Sequence, residues 1–362
     1  MQNNAGVTKS VDDQTAGRSR VTFRAFREES DYERMLAIFL ASAKADHDDW
    51  TPSLDEIKTW CAPTAKFDPA KQIVFAVAPT DGTPASEVGA SRVSWYTGSN
   101  GARIYPQTSF LLPEWRQPGI WPALVREGDR RIREMAAGHP SLPERYFQGW
   151  ATETQTEWID ALEAAGYRAV RHFRNMVHPL REIPRAELPK GLEVRPVQAG
   201  DMRGIWEVQA EVTRGLFEYV AEQWTDEKYA GWLSDASHTP RLWQVAWDGD
   251  QVAGMVLGRI DDEANRGRAR KRGYTEHVFV RRPWRGRGLA KSLVTRSLQQ
   301  LKDEGMEEAE LGVDSENESG AYGFYSRLGY VTERTDIWFR KPLDAGEYDP
   351  SPSESFPRGR RS

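Results

Sequence analysis

Residues Val278 to Ala290 read Val-Phe-Val-Arg-Arg-Pro-Trp-Arg-Gly-Arg-Gly-Leu-Ala, an apolar run that turns through two glycines into a helical pattern. Unpaired N–H groups at a helix start, with the positive end of the helix dipole, favour an anion, and small residues let the backbone approach its oxygens. The turn residues Arg285, Gly286, Arg287, Gly288, Leu289 and Ala290, with Phe279 and Val280 at the end of the preceding run, are therefore the candidates for holding a pyrophosphate. Apolar residues then recur at Ala290, Leu293, Val294, Leu298 and Leu301, the three-and-four spacing of one buried helix face. Strand, glycine turn and helix in that order separate such a cradle from an ordinary turn.

Arg285-x-x-Gly288-x-Ala290 matches the Arg/Gln-x-x-Gly-x-Gly/Ala signature of the GCN5-related N-acetyltransferase (GNAT) family. Downstream, Gly312 to Tyr330 resembles a late strand and helix of the same family, in the right order and spacing. The resemblance implies acetyl-CoA as co-substrate, with Asn317 contacting the coenzyme and Tyr325 near its sulfur. Taken over nearly the whole chain, it resembles tandem GNAT proteins of the mycothiol synthase type, with the specific motifs confined to the second half.

Acetyl transfer to an amine needs a proton acceptor, because an alkylammonium with an ordinary pKa of about 10 cannot attack. Glu276 lies four residues before Val280, so simple strand alternation places both on one face, directed at the same cleft. The alternative is a strand glutamate that pairs with a neighbouring arginine. In the mycothiol synthase type the glutamate base falls where Tyr274 stands here, whereas other GNAT enzymes use the position of Glu276. The family likeness puts a backbone N–H near Val280 beside the developing oxyanion, where adjacent strands splay. Tyr325 can give a proton to the departing thiolate, although Ala321, Phe324, Tyr325 and Leu328 also describe an ordinary apolar helix face.

The elements that must position these residues come in two copies. Arg24 and Arg195 open matching strand-then-helix patterns 171 residues apart, and Gly119 and Gly288 stand 169 apart in matching turns. A period this long means duplicated domains. The expected fold is of the α/β (α+β) class: two tandem GNAT-like domains, each a mixed, mostly antiparallel sheet flanked by helices. The first spans residues 21–180, a Pro-punctuated linker 181–191, and the second 192–343. Strands in the second are expected at 192–197, 242–247, 251–260, 274–280, 309–314 and 336–341. Residues 1–20 and 344–362 lack apolar periodicity and are expected as disordered tails.

In the first copy the turn reads Arg116-x-x-Gly119-x-Trp121, with an indole in place of the small final residue and Pro118 lacking an N–H. Leu162 stands four residues before Gly166, where the second copy has Tyr325 before Gly329. The first domain is accordingly expected to be a degenerate partner, with an altered coenzyme site as the alternative.

Composition narrows the function further. The 362 residues carry a net charge of -5, 39% hydrophobic residues, 14 Trp and a single cysteine, Cys61. No run approaches the roughly 18 apolar residues of a membrane span, and the N-terminus lacks a signal-peptide apolar region, so a cytoplasmic protein is expected. One cysteine and six scattered histidines show no metal-ligand spacing, and no metal is expected. Basic residues crowd between Arg266 and Arg287, either as a solvated hairpin or as an attractor for the coenzyme's phosphates. The expected partner is a small-molecule amine, without nucleic acid or membrane, for a monomer or homodimer. Trp206, Phe217, Glu218, Tyr219 and Trp224 are candidates to line a cationic acceptor site, or to be core and rim.

Overall fold

The computed structural model describes residues 21–46, 52–80, 83–98, 100–214, 224–235, 238–266, 269–316 and 320–344. Residues 1–20 and 345–362, expected as tails, lie outside that set, as do Asn317, Phe217, Glu218 and Tyr219. The chain forms two compact units that interleave in sequence. The first comprises 21–96, 103–169 and the segment from Trp338 onward; the second comprises 97–102 and 170–337.

In chain order the first half supplies β1 (Thr22–Ala25), α1 (Ser30–Ala45), α2 (Leu54–Trp60), α3 (Pro69–Gln72), β2 (Ile73–Thr80), β3 (Thr83–Val93), β4 (Tyr96–Thr97), β5 (Arg103–Leu111), α4 (Ile120–Ala137), β6 (Arg145–Thr152) and α5 (Thr156–Ala164). There follow β7 (Arg168–Pro179), β8 (Glu193–Val194), α6 (Met202–Thr213), α7 (Asp226–Leu233), β9 (Trp243–Asp248), β10 (Gln251–Ile260), α8 (Asp262–Arg266), β11 (Arg272–Val280), α9 (Leu289–Asp303), β12 (Glu308–Asp314), α10 (Ala321–Arg327) and β13 (Val331–Pro342). Of the six strands expected in the second half, that at 251–260 is present to the residue, that at 192–197 is reduced to Glu193–Val194, and the other four are present with shifted ends.

Each unit runs antiparallel until a helix forces a parallel crossover. In the first, β1, β2, β3 and β5 pair antiparallel, and β6 returns parallel to β5 after α4. In the second, β8 to β11 pair antiparallel, β12 returns parallel to β11 after α9, and β7 lies antiparallel to β12. A parallel return needs a crossover of a dozen or more residues, which α4 and α9 provide. In α9, Leu293, Val294, Leu298 and Leu301 are buried against the sheet. Each contributes roughly 1.5–3 kcal/mol by leaving water. The approach is close enough that a Cβ on Gly273 would stand 2.6 Å from Cδ2 of Leu301.

The other face of the second unit's sheet carries a separate core, in which Met202, Ile205 and Val208 of α6 cover Trp243, Val245, Met255 and Leu257. Trp206 joins Trp224, Tyr229 and Trp232 in one aromatic group there, with ring centroids 4.6 to 5.8 Å from Trp206.

Candidate active site

The turn into α9 is built as the sequence suggests. After β11 the chain makes a short 3-10 turn over Arg282–Trp284, anchored by Trp284, whose Nε1–H donates to Asp248 at 2.9 Å. Gly286 (φ 75°) and Gly288 (φ 84°) take left-handed conformations that a side chain would strain, and a Cβ on either would meet open space. Gly288 is the N-cap of α9 and offers no side-chain acceptor. The first capture within the helix is the Ser292 N–H by the Gly288 carbonyl, which leaves the first-turn amides of Leu289, Ala290 and Lys291 without a helical acceptor. Arg285 donates Nε–H to the Val280 carbonyl at 2.9 Å, tying the loop to the strand end.

Beside this cradle the sheet opens. β11 pairs with β12 only from Arg272–Tyr274 against Glu308–Glu310. Beyond that point β11 continues against β10 as far as Val280, and β12 continues against β7 as far as Asp314. The facing edges of the two strands therefore carry peptide groups without a strand partner, a channel suited to an amide-bearing chain.

Between Glu276 and Phe279 the alternation of β11 breaks. Leu257 pairs with Glu276 and Met255 with Phe279, so β11 contains one residue more than β10. The extra residue is at His277, whose φ of 48° is the one positive value at a non-glycine position among the described residues. Glu276 consequently shares a face with Phe279 and Tyr274, on the α6 side, while Val278 and Val280 pack on the α9 side. The sequence expectation that Glu276 and Val280 share one face is corrected by this bulge. His277 itself is exposed.

Tyr325, on α10, belongs to the α9-side core with Val280, Leu289 and Val313. Its ring meets Tyr330 edge-on at 5.7 Å, and Tyr330 is pinned in turn by a 2.7 Å bond between its hydroxyl and that of Thr275. No described residue bonds the Tyr325 hydroxyl, whereas burial pushes this phenol well above its ordinary range and keeps it protonated. Glu276 is about one-third exposed and lies 3.2 Å from a terminal nitrogen of Arg259. The sequence thus allowed two readings of Glu276, base or ion-pair partner, and the geometry accommodates both.

Two expectations resolve differently. Of the basic cluster, Arg270 and Arg272 pair with Glu308, and Arg272 also with Glu310 and Glu333. They sit at the far end of β11 from the cradle, roughly 25 Å away at 3.3 Å per strand residue, and brace the strand. Asn317 lies outside the described residues, yet the loop leading to it is held: the His172 N–H and Nδ1 meet the Glu316 carboxylate at 2.9 and 2.7 Å. Sequence reading missed that brace, since His172 and Glu316 are 144 positions apart. No group of three or more His, Cys, Asp or Glu among the described residues is arranged for a metal, and no helix among them is long and apolar enough to cross a membrane.

Comparison with known proteins bears on family and fold. Residues 205–330 match the acetyltransferase (GNAT) family model. Over 200 residues the chain is 28% identical to a mycothiol acetyltransferase of Streptomyces coelicolor, covering 53% of this chain and 60% of that protein, less than two thirds of its length. A GCN5-related N-acetyltransferase from Sphaerobacter thermophilus superposes with a TM-score of 0.67 at 25% identity, over 91% of this chain and 98% of the other. A tandem GNAT protein from the clavulanic acid biosynthesis pathway shares the fold, with a TM-score of 0.60 at 14% identity over 91% of this chain and all of the other.

Proposed function

We propose that this chain, which matches the acetyltransferase (GNAT) family model over residues 205–330, uses its second unit to transfer an acetyl group from acetyl-CoA to the primary amine of a small molecule by direct attack. The observation that carries the reading is the continuity of an uncapped helix start, a pair of parted strand edges and a buried phenol within one unit. The helix start and its glycines suit the coenzyme's pyrophosphate, and the strand edges suit its amide-bearing arm. Phe279, Val280, Arg285 to Ala290 and Asn317 are the residues we assign to coenzyme binding.

In this mechanism Glu276 takes a proton from the acceptor ammonium, and the freed amine attacks the thioester carbon. A backbone N–H of the parted β11 edge near Val280 meets the oxygen as it becomes negative, where a preorganised donor is worth a few kcal/mol. The carbon–sulfur bond then breaks, the Tyr325 hydroxyl gives its proton to the leaving thiolate, and the second proton of the attacking nitrogen is lost to solvent, from which the phenolate is reprotonated. The phenol is suited to that task because burial holds it neutral throughout the working pH range. The bulge gives a physical account of how two residues on opposite faces serve one reaction: the reacting carbonyl would sit in the gap, reached by Glu276 from the α6 side and by Tyr325 from the α9 side.

A mycothiol-type acceptor is the second reading, favoured by the Streptomyces relative. Against it, Tyr274 lies under the Arg259 guanidinium at 4.2 Å, and that position is the one where this type carries its base. The first unit, which departs from the expected bounds of 21–180 by giving up 97–102 and 170–180 and taking in the segment from Trp338 onward, is proposed as a degenerate domain.

A panel of primary amines assayed with acetyl-CoA tests the reaction. Glu276→Gln should lower kcat/KM at least about a hundredfold for any amine turned over. Tyr325→Phe should slow turnover about tenfold, or 1.4 kcal/mol, with coenzyme affinity little changed. Wild-type turnover in Tyr325→Phe removes this phenol from the mechanism. Tight acetyl-CoA binding without turnover of any amine would instead make the protein an acyl-CoA-binding module.

A further inference from the structure

Arg259 lies on β10 opposite Tyr274 of β11, one position along the same face from the Leu257–Glu276 pair. Its guanidinium stacks on the Tyr274 ring at 4.2 Å and reaches Asp261 at 3.5 Å. From that mount its Nε and terminal nitrogen both point to a single oxygen of Glu276, Oε1, at 3.4 and 3.2 Å. Oε2 has no hydrogen-bond partner among the described residues. A carboxylate gripped through one oxygen has its rotamer fixed and its second oxygen presented in one direction.

We propose that Arg259 is a positioning residue that grips Glu276 through Oε1 and turns Oε2 toward the acceptor amine. This rests on Glu276 serving as the base. A planar guanidinium clamped by an aromatic ring below and carboxylates on two sides loses little freedom in doing so, which a lysine ammonium cannot reproduce as well. Among the described residues the charged and titratable groups around Glu276 are few. Arg259 and Asp261 come from β10 and the residue after it, Tyr274 and His277 from β11 itself, and His238 from the segment before β9; among these Arg259 is the one permanent cation.

Carbon-13 relaxation at labelled glutamate carboxyls reads this grip directly, without an acceptor, and Glu276→Gln identifies the resonance by its loss. Arg259→Met, which keeps an unbranched chain over Tyr274, should free the Glu276 carboxyl to move on the picosecond-to-nanosecond scale, while Arg259→Lys should recover part of the order. Calorimetric binding of acetyl-CoA should be unchanged in both, which separates loss of the ion pair from loss of the fold. An equally ordered Glu276 carboxyl in a folded Arg259→Met overturns the proposal. Loss of order, together with undiminished turnover in Glu276→Gln, overturns the base assignment while leaving the grip on the carboxylate intact.

Discussion

The two units share a backbone turn and differ in what fills the space beside it. Gly119 and Gly288 cap α4 and α9 in the same left-handed conformation, φ 97° and 84°, and neither helix has a side-chain cap. In the second unit the small residues Ala290 and Ala321 follow at the matching places. In the first they are Trp121 and Trp158, whose indoles pack at 5.0 Å and are almost wholly buried. Leu162, where Tyr325 stands in the other copy, presses onto β6 so closely that a Cβ on Gly149 would lie 2.9 Å from its Cδ2. Arg116 is turned inward to Asp46 and Ser42 at 2.8 and 2.9 Å, while Arg285 remains exposed at the loop. A turn can thus be kept where the space beside it is filled, because the turn needs one glycine and the space several small residues.

A carboxylate placed in the cradle gives the sharpest way to break this contrast. Gly288→Glu should weaken acetyl-CoA at least about a hundredfold, some 2.7 kcal/mol, as read by calorimetry. Gly119→Glu, which carries the same backbone strain, should leave the affinity and a stoichiometry of one per chain unchanged. Two sites in the wild type, one lost in each variant, would show that the first unit keeps a coenzyme site.

Of similar size is the effect of the ion pair beside the first unit's turn. Asp46→Ala strands the largely buried Arg116 and should destabilise the first unit by about 3 kcal/mol in denaturant titration. Arg285→Ala should cost under about 0.5 kcal/mol of stability, because its exposed side chain anchors nothing but a loop. Comparable losses in the two variants would contradict the assignment of Arg116 to structure alone.

The repeated opening arginines provide a smaller, pH-dependent contrast. Burial alone would raise the Asp31 carboxyl, but bonds from Arg24 and the Arg27 backbone outweigh it and hold it down at about 2. Arg195 likewise holds Asp201 below its ordinary value, at a more exposed site. Because the folded-state value is depressed, Asp31's contribution is complete above about pH 4 and disappears as pH falls from there to about 2. It amounts to about 2 kcal/mol. Hydrogen exchange should show the first unit opening ahead of the second over that window, and Asp31→Asn should flatten the dependence. Simultaneous opening of both units would remove Asp31 as the cause.

Much of the fold was legible because amphipathic periods and turn glycines are local signals, as with the α9 face from Ala290 to Leu301. The cradle was legible for the same reason. The orientation of Glu276 was not, since a bulge is a mismatch between two strands and alternation within one strand cannot reveal it. A trace does exist in the spacing of the copies. Thr275 bonds Tyr330 as Gln107 bonds Tyr167, 168 residues apart, yet the turn glycines beyond are 169 apart. The added residue lies between them, at the bulge. Arg259 had no sequence signature because its role depends on register with Glu276, and the His172–Glu316 brace is hidden by separation along the chain.

The segment after Trp338 has a further consequence for how the molecule is made. Lys341 reaches Asp129, Arg340 bonds Gln148 at 3.0 Å and the Leu343 N–H closes on Arg145 at 2.8 Å, all within the first unit. A ribosome must therefore translate past residue 343, through the whole of the second unit, before the first unit can close, reversing the usual order in which the domain begun first is finished first. Severing the gene at residues 181–191 would give one fragment without its closing strand and another without β7, so co-expressed halves should recover what neither holds alone.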